Sequence, residues 1–372
     1  MIYRQSPPWD KSHGYTHQGG QDRLARLSGL RKLAWRFAAG RNSLSGKSHD
    51  QQARKKEIKK MRIAVPPLKC QGIKTKLVEW IYNHVALPEN GTWIEPFMGS
   101  GVVGFNVRPS KAIFADINPH IIMLYNAIKK NQITPGIAKE FLDREGNILR
   151  ARGEVHYYEI RERFNRSGDP LDLLFLNRAS FNGVMRFNKN GKFNVPFGHK
   201  PNRFAKAYVT KITNQIKYVS QVSSLLDWQF VCADFRQVIA DATEIDLIYC
   251  DPPYIGRHTD YFNTWTERDE QDLYRLLAQT KARFILSTWH SNRYRKNQAL
   301  EKYAKTFTVF TREHFYHVGA REENRNPMLE AIVLNYDPEP QMEMIPVGQL
   351  ALFEEKATYS FRKINLDKDS ST

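Results

Sequence analysis

Apolar residues along this chain fall in short runs, separated by helix-length stretches in which they recur every three or four positions. "TWIEPF" (residues 92–97) reads as a buried strand, and "GSGVVGFNV" after it turns into a helix. "AIFADI" (112–117) is the next strand. "NPHIIMLYNAIKKN" follows as a helix with Asn118 as its N-cap. The alternation then breaks, and residues 133–226 read as helices and loops without a buried strand. Strand patterns return in "WQFVC" (228–232), "IDLIYC" (245–250), "RFILSTW" (283–289) and "LEAIVLNY" (329–336). Strand alternating with helix predicts an α/β fold around a parallel sheet, carrying one long, mainly helical insertion.

Composition supports this picture at 372 residues and 41% apolar content. Three cysteines, Cys70, Cys232 and Cys250, lack CxxC spacing, so neither a zinc site nor a disulfide framework is implied, which suits a reducing cytosol. No metal site is expected. Without eighteen consecutive apolar residues, no transmembrane helix is expected either. The net charge of +17 points to a polyanionic partner. Residues 1–60 hold 14 Lys/Arg against 4 Asp/Glu, in a segment rich in Gly, Ser, Gln and Arg. This leader is expected to be disordered for the most part, despite a possible basic amphipathic helix in "RLARLSGLRKLAWRFAAG". Met61 precedes the first well-patterned segment and would serve as a natural start for the folded protein. A nucleic-acid-binding tail is the alternative reading of the leader. Beyond Asp337 the chain reads as an extended strip.

Two motifs carry chemistry. "EPFMGSGVVGF" (95–105) contains G-x-G-x-x-G at Gly99, Gly101 and Gly104, after a strand and at the start of a helix. Glycines there let backbone approach a ligand, with a helix N-terminus behind. Asp116 ends the next strand, where a carboxylate can accept ribose hydroxyls. Alone, this pattern fits an NAD enzyme as well as any other adenosine-cofactor enzyme. However, nothing downstream resembles a hydride-transfer site. The second motif is "DLIYCDPPYIG" (246–256), a buried strand that runs into Asp251 and stops at two prolines. Pro252 and Pro253 fix φ and remove two donors. They leave a rigid ledge with a carboxylate, carbonyl acceptors and the aromatic face of Tyr254.

"EPFMGSG", "ADIN", "LNRASFNGVMRFNKNGKFNVPFG" (176–198) and "YCDPPY", in this order, resemble the Dam-like (alpha-group) DNA adenine-N6 methyltransferases. The resemblance implies a Rossmann-like S-adenosylmethionine-dependent methyltransferase sheet with an inserted target-recognition domain. Domains would be the leader 1–60, a catalytic domain of 61–132 and 227–340, the insertion 133–226, and the tail 341–372. The implied cofactor set is Cys70, Lys74, Glu95, Phe97, Gly99, Gly101, Asp116, Asp234, Phe235 and Asp251. Asp116 would bind the ribose, "CADF" (232–235) would border the adenine, and Lys74 would sit near the carboxylate. One block departs from the family: "LKCQGIKTKL" (68–77) keeps Lys69, Gly72 and Lys74 but has Cys70 in place of an aromatic.

An exocyclic adenine amine is a poor nucleophile because its lone pair is delocalised. Two acceptors for its hydrogens, the Asp251 carboxylate and the Pro252 carbonyl, would localise that lone pair, with Pro253 stiffening the ledge and Tyr254 stacking on the base. The base would be flipped out of the duplex, with direct in-line transfer. No "PC" nucleophile of the cytosine-C5 kind accompanies these motifs.

Residues 178–217 carry nine Lys/Arg and no Asp/Glu, with Asn and Phe interleaved. The DNA-binding expectations here are Arg178, Asn182, Arg186, Asn188, Lys189, Lys192 and Lys200, with Phe187, Phe193 and Phe197 as wedges or stacking groups. "NKNGKF" predicts a hairpin turn at Asn-Gly. The reading is site-specific adenine methylation of double-stranded DNA, of restriction-modification or GATC type. The enzyme would be a monomer in the bacterial cytoplasm with the nucleoid, and any cognate restriction endonuclease would act separately. RNA methylation, a silent DNA-binding protein, an NAD oxidoreductase and cytosine-N4 methylation are the alternatives. His290, His314 and His317 lack ligand spacing. Tyr261, Trp265 and Trp289 read as pocket mouth or core, and Glu322 and Glu323 as a polar loop.

Overall fold

The computed structural model describes residues 62–254, 265–291, 296–315 and 327–338, together with the backbone at 362–363. The chain divides into Met1–Ile58 and Lys59–Thr372, and the fold described here belongs to the second unit. The leader lies outside the described residues.

Eight strands form one sheet: β1 (Trp93–Glu95), β2 (Lys111–Asp116), β3 (Asp227–Cys232), β4 (Leu247–Cys250), β5 (Arg283–Ser291), β6 (Thr308–Phe315), β7 (Pro327–Leu334) and the two-residue β8 (Arg362–Lys363). Their order is β3-β2-β1-β4-β5-β7-β6-β8. Strands β1 to β5 pair in parallel, with Trp93 beside both Ala112 and Leu247. β7 runs antiparallel to β5 and β6. The mostly parallel sheet with helices between its strands is the Rossmann-like fold expected from the sequence. Two features depart from expectation: the far edge is antiparallel, and β6 carries only a short apolar signal, Val309 and Phe310, which pack on the second and first cores. Beyond them β6 buries polar residues on both faces, Thr311, Arg312 and His314, which hides the strand from a hydrophobic reading.

Ten helices accompany the sheet among the described residues: α1 (Val78–Tyr82), α2 (Val102–Val107), α3 (Pro119–Lys129), α4 (Pro135–Arg152), α5 (Glu154–Ser167), α6 (Pro170–Ala179), α7 (Lys206–Leu225), α8 (Phe235–Ala240), α9 (Glu267–Gln279) and α10 (Gln298–Ala304). Three of them start in the same way. Asn118, Thr134 and Asp169 accept the backbone N–H of His120, Ile137 and Leu171, with Pro as the first helical residue.

Alternate side chains of each strand enter opposite cores. Trp93, Phe114, Trp228, Phe230 and Tyr249 face one side, and Ile94, Ala115, Ile248 and Cys250 the other. The first core continues without a break into the insertion through Phe141, Leu174, Phe175, Phe193 and Phe204. The second is closed by α8, α9 and α10.

The strip before α1 is fastened to the first core side by side-chain amides. Asn106 exchanges two hydrogen bonds with the backbone of Ala64, at 2.8 and 2.9 Å, as a neighbouring strand would. Asn177 does the same for Lys69, at 2.8 Å each way. Two residues otherwise suited to turns therefore position the segment that leads to Cys70 and Lys74.

Candidate active site

Strand order reverses between β1 and β4, and ligands in open α/β sheets bind at the carboxyl ends of strands on either side of such a point. Both motifs lie there. After β1, Gly99 and Gly101 hold φ of 47° and 70°, in the left-handed region that favours glycine. The Gly99 N–H donates to Asp116 Oδ2 and the Asn118 N–H to Oδ1, each at 2.8 Å. Asp116 at the end of β2 is thus tied to the glycine turn, and burial raises its pKa to about 6. Gly104 is needed for close approach. A Cβ there would come within 2.4 Å of Phe114 and 2.5 Å of the Glu95 carboxylate. Glu95 Oε2 instead accepts the Gly104 N–H at 3.1 Å and the Trp93 indole N–H at 2.9 Å. Burial pushes Glu95 up to about 8.

An aromatic cluster stands beside this turn. Phe97, Phe235 and Trp265 lie 5.2 to 5.5 Å apart, centroid to centroid. Asp234 caps α8 by accepting the Arg236 N–H at 2.8 Å. The Arg236 guanidinium lies over the Phe235 ring at 4.4 Å and pairs with Asp234, Asp269 and Asp272. Trp265 is fixed by its indole N–H to Glu270 at 3.0 Å. The sequence pointed to Asp234 and Phe235, and to Trp265 at a pocket mouth, but Arg236, Asp269 and Glu270 gave no motif signal. One periodic hint existed, since Asp269 and Glu270 belong to the acidic first turn of α9, behind the capping box of Thr266.

At the end of β4, Asp251 is gripped by Lys74. The ammonium lies 2.7 Å from Oδ1 and 2.9 Å from Oδ2, and also donates to Gly72 O at 3.2 Å. Lys74 is only 3% exposed. Its charge also lies 5.3 Å from the Tyr254 ring centroid. Burial raises the Asp251 pKa, and the neighbouring ammonium opposes that rise. Lys74, expected beside a cofactor carboxylate, is thus paired with Asp251 here. Cys70 sits across from the turn, its Sγ 3.8 Å from where a Gly99 Cβ would be, and burial pushes its thiol up. Cys70, Lys74, Glu95, Phe97, Gly99, Asp116, Asp234, Phe235, Asp251 and Pro253 line one cavity, along with Trp265 and Arg236. Pro252 is buried behind it and Tyr254 is half-buried.

The basic segment divides in two. Lys189, Lys192, Lys200, Asn182 and Asn188 are exposed and Arg186 is half-buried. Arg178 departs from expectation. It is buried, donates to Pro67 O and to Gln215 Oε1 at 3.1 Å, and so braces the strip before α1 from inside. Phe187, Phe193 and Phe197 are buried core residues, which removes them as wedges. Phe181, which sequence reasoning passed over, is 52% exposed beside Asn182. The hairpin forms with Phe187 paired to Phe193, but its glycine sits at φ 69° after a turn closed by Gly191 N–H to Asn188 O. Asn188 Oδ1 is occupied inside that turn by the N–H groups of Asn190 and Lys192. Arg186 donates to Asn194 Oδ1 at 2.9 Å, which holds it across the hairpin. Lys69 joins this face unannounced. Desolvation and the crowding of Arg178, Arg203, Lys211 and Lys200 lower its pKa to about 8. Tyr261, His317, Glu322 and Glu323 lie outside the described residues. His314 is buried in β6, and His290 Nδ1 lies 2.9 Å from Ser291 Oγ.

Comparison with known proteins finds relatives of this chain. The chain is 29% identical over 281 residues to the Type II methyltransferase M.FokI of Planomicrobium okeanokoites, covering 73% of this chain and 42% of that protein. It is 38% identical over 192 residues to a DNA adenine methylase of Vibrio cholerae, covering 50% of this chain and 64% of the relative. To the DNA adenine methylase of Serratia marcescens it is 35% identical over 225 residues, 57% of this chain and 77% of the relative. The chain therefore spans less than two thirds of the first two of these proteins. A family model, D12 class N6 adenine-specific DNA methyltransferase, matches residues 71–321. That match runs from the loop before α1 past the end of β6 and takes in both the glycine turn and the Asp251 ledge; the chain belongs to the D12 class N6 adenine-specific DNA methyltransferase family.

Proposed function

We propose that this protein transfers a methyl group from S-adenosylmethionine to N6 of an adenine flipped out of duplex DNA. The observation that carries the reading is the convergence of the Gly99–Asp116 turn and the Asp251 ledge on one cavity at the sheet's switch point. The residues fit the cofactor. Gly99 leaves the turn open beside Asp116, each Asp116 oxygen retains acceptor capacity, and the cluster of Phe97, Phe235 and Trp265 offers an aromatic face for a purine. Bound there, S-adenosylmethionine would supply an electrophilic methyl on a sulfonium. Asp116 would hold the ribose and the Asp234–Phe235 corner the adenine. Cys70 would pack against the turn without the stacking an aromatic would give.

The chain's own part in the chemistry is acceptance and restraint. Asp251 and the Pro252 carbonyl would accept the two N6 hydrogens and push electron density onto nitrogen. Pro252 and Pro253 keep both acceptors from relaxing, so little reorganisation is needed as charge develops. Tyr254 would stack on the flipped base, and Asp251 would take the proton released from the amine. The exposed Lys189, Lys192 and Lys200, with Lys69 and Arg203, suit backbone phosphates. Phe181 suits the space a flipped base vacates, and Asn182 and Arg186 suit base edges.

Such an enzyme would work as a monomer on DNA in the bacterial cytoplasm, alongside the nucleoid, either within a restriction-modification pair or alone on a GATC-type site. No described helix is long and apolar enough to cross a membrane. The test is nucleoside mass analysis of duplex DNA incubated with the protein and S-adenosylmethionine. N6-methyladenine is expected, and N4-methylcytosine alone would overturn the base assignment.

A further inference from the structure

Lys74 engages both oxygens of Asp251 at 2.7 and 2.9 Å from a position almost sealed from solvent. In that arrangement Asp251 is a weakened acceptor, because the ammonium withdraws the electron density that an amine hydrogen should meet. The pair must therefore loosen for the proposed reaction. The cavity's other lining cation among the described residues, Arg236, is already bound by Asp234, Asp269 and Asp272. The remaining acids on the wall, Glu95 and Asp116, offer an incoming carboxylate no cation. A ligand with an amino-acid arm thus finds Lys74 as the cation its carboxylate can recruit.

We propose that Lys74 is a positioning residue shared between Asp251 and the carboxylate of the methyl donor's amino-acid arm, so that filling the arm's subsite draws the ammonium away from Asp251 and frees that acceptor for the adenine amine. This rests on the methyltransferase reading above. Linkage makes the consequence reciprocal: a carboxylate-bearing cofactor and a flipped adenine bind with positive coupling, and a ligand without the carboxylate does not couple. Lys74 itself makes no contact with the reacting atoms.

The experiment compares two ligands on the full chain, S-adenosylhomocysteine, which keeps the arm, and 5′-methylthioadenosine, which lacks it. Each is used at saturation with a duplex that keeps adenine at the methylated position and carries 2-aminopurine beside it, and duplex affinity and 2-aminopurine fluorescence are read. With wild type, S-adenosylhomocysteine should tighten duplex binding at least about fivefold and raise the flipped-base signal, while methylthioadenosine changes affinity less than about twofold. In Lys74→Gln the advantage of S-adenosylhomocysteine should vanish. Equal effects of the two ligands on wild type, or an unchanged advantage in Lys74→Gln, would overturn the proposal. The ligand comparison on wild type stands even if the variant folds poorly. A wild-type protein that methylates no DNA would instead sink the methyltransferase reading, so the two failures are distinguishable.

Discussion

Trp93 donates its indole N–H to Glu95 at 2.9 Å, and both side chains are buried at the start of the glycine turn. The bond helps hold a carboxyl that burial has pushed to about 8. The sign of the pH effect follows. A carboxyl whose pKa is raised in the fold binds a proton more tightly when folded than when unfolded. Its contribution to stability is therefore lost as pH rises from the ordinary carboxylate range towards 8. Glu95→Gln keeps an acceptor for Trp93 and Gly104 without that cost. The variant should melt higher than wild type at pH 8.5, by a margin on the order of 4–5 kcal/mol, and most of the gap should close at pH 5. Thermal scans at both pH values check it, and a gap independent of pH would contradict it.

Two phenylalanines twelve residues apart should behave in opposite ways. Phe193 is buried, so Phe193→Ala should cost about 3–5 kcal/mol of stability in denaturant unfolding. Phe181 is exposed, so Phe181→Ala should change stability by less than about 0.5 kcal/mol. It should nevertheless lower methylation of duplex DNA and spare a target held in single-stranded DNA. Equal rates on both substrates would remove Phe181 from the flipping step.

The exposed lysines and the base-reading candidates separate by salt and sequence. Lys189→Ala, Lys192→Ala or Lys200→Ala should weaken binding to all duplexes alike and reduce the salt slope by about one. Asn182→Ala and Arg186→Ala should cost roughly 1–3 kcal/mol on the cognate duplex only. Titrations of cognate and single-mismatch duplexes at several salt concentrations check both. Wild-type discrimination in Asn182→Ala and Arg186→Ala would move recognition elsewhere.

The sheet was legible where strands are apolar on both faces. Trp93 and Ile94, or Phe114 and Ala115, enter opposite cores, so their runs read as strands without any tertiary knowledge. β6 was not legible because only Val309 and Phe310 are apolar before the buried polar run Thr311, Arg312 and His314. The site's backbone motifs were equally plain, since glycine at positive φ and paired prolines leave a local signature. What could not be read was which side chains meet. Lys74 and Asp251 are 177 residues apart, and no spacing rule links them. Arg178, Phe187, Phe193 and Phe197 were misread for the converse reason. A run without acids looks like a DNA face, yet alternate residues of a hairpin and the inner side of α6 must be buried to hold that face in place.

The leader offers a separate test. Deleting residues 1–60 should leave methylation at low salt nearly unchanged, because the glycine turn, the ledge and the basic segment all follow it. If its excess of 14 Lys/Arg over 4 Asp/Glu touches phosphates, the salt dependence of DNA binding should flatten. A truncated protein that is folded but inactive at low salt would give the leader a functional role.

On the proposed mechanism Asp251 acts at the sheet's switch point in methylating adenine, and methylation-aware sequencing checks it. Wild type and Asp251→Ala are expressed in a bacterial host stripped of its own adenine methylases, and the host DNA is read for base, atom and site. Wild type should place N6-methyladenine at one recurring sequence, and Asp251→Ala should leave less than a tenth of that mark while still binding S-adenosylmethionine and duplex within about tenfold of wild type. An unmodified genome with wild type, or a mark that persists with Asp251→Ala, would contradict it.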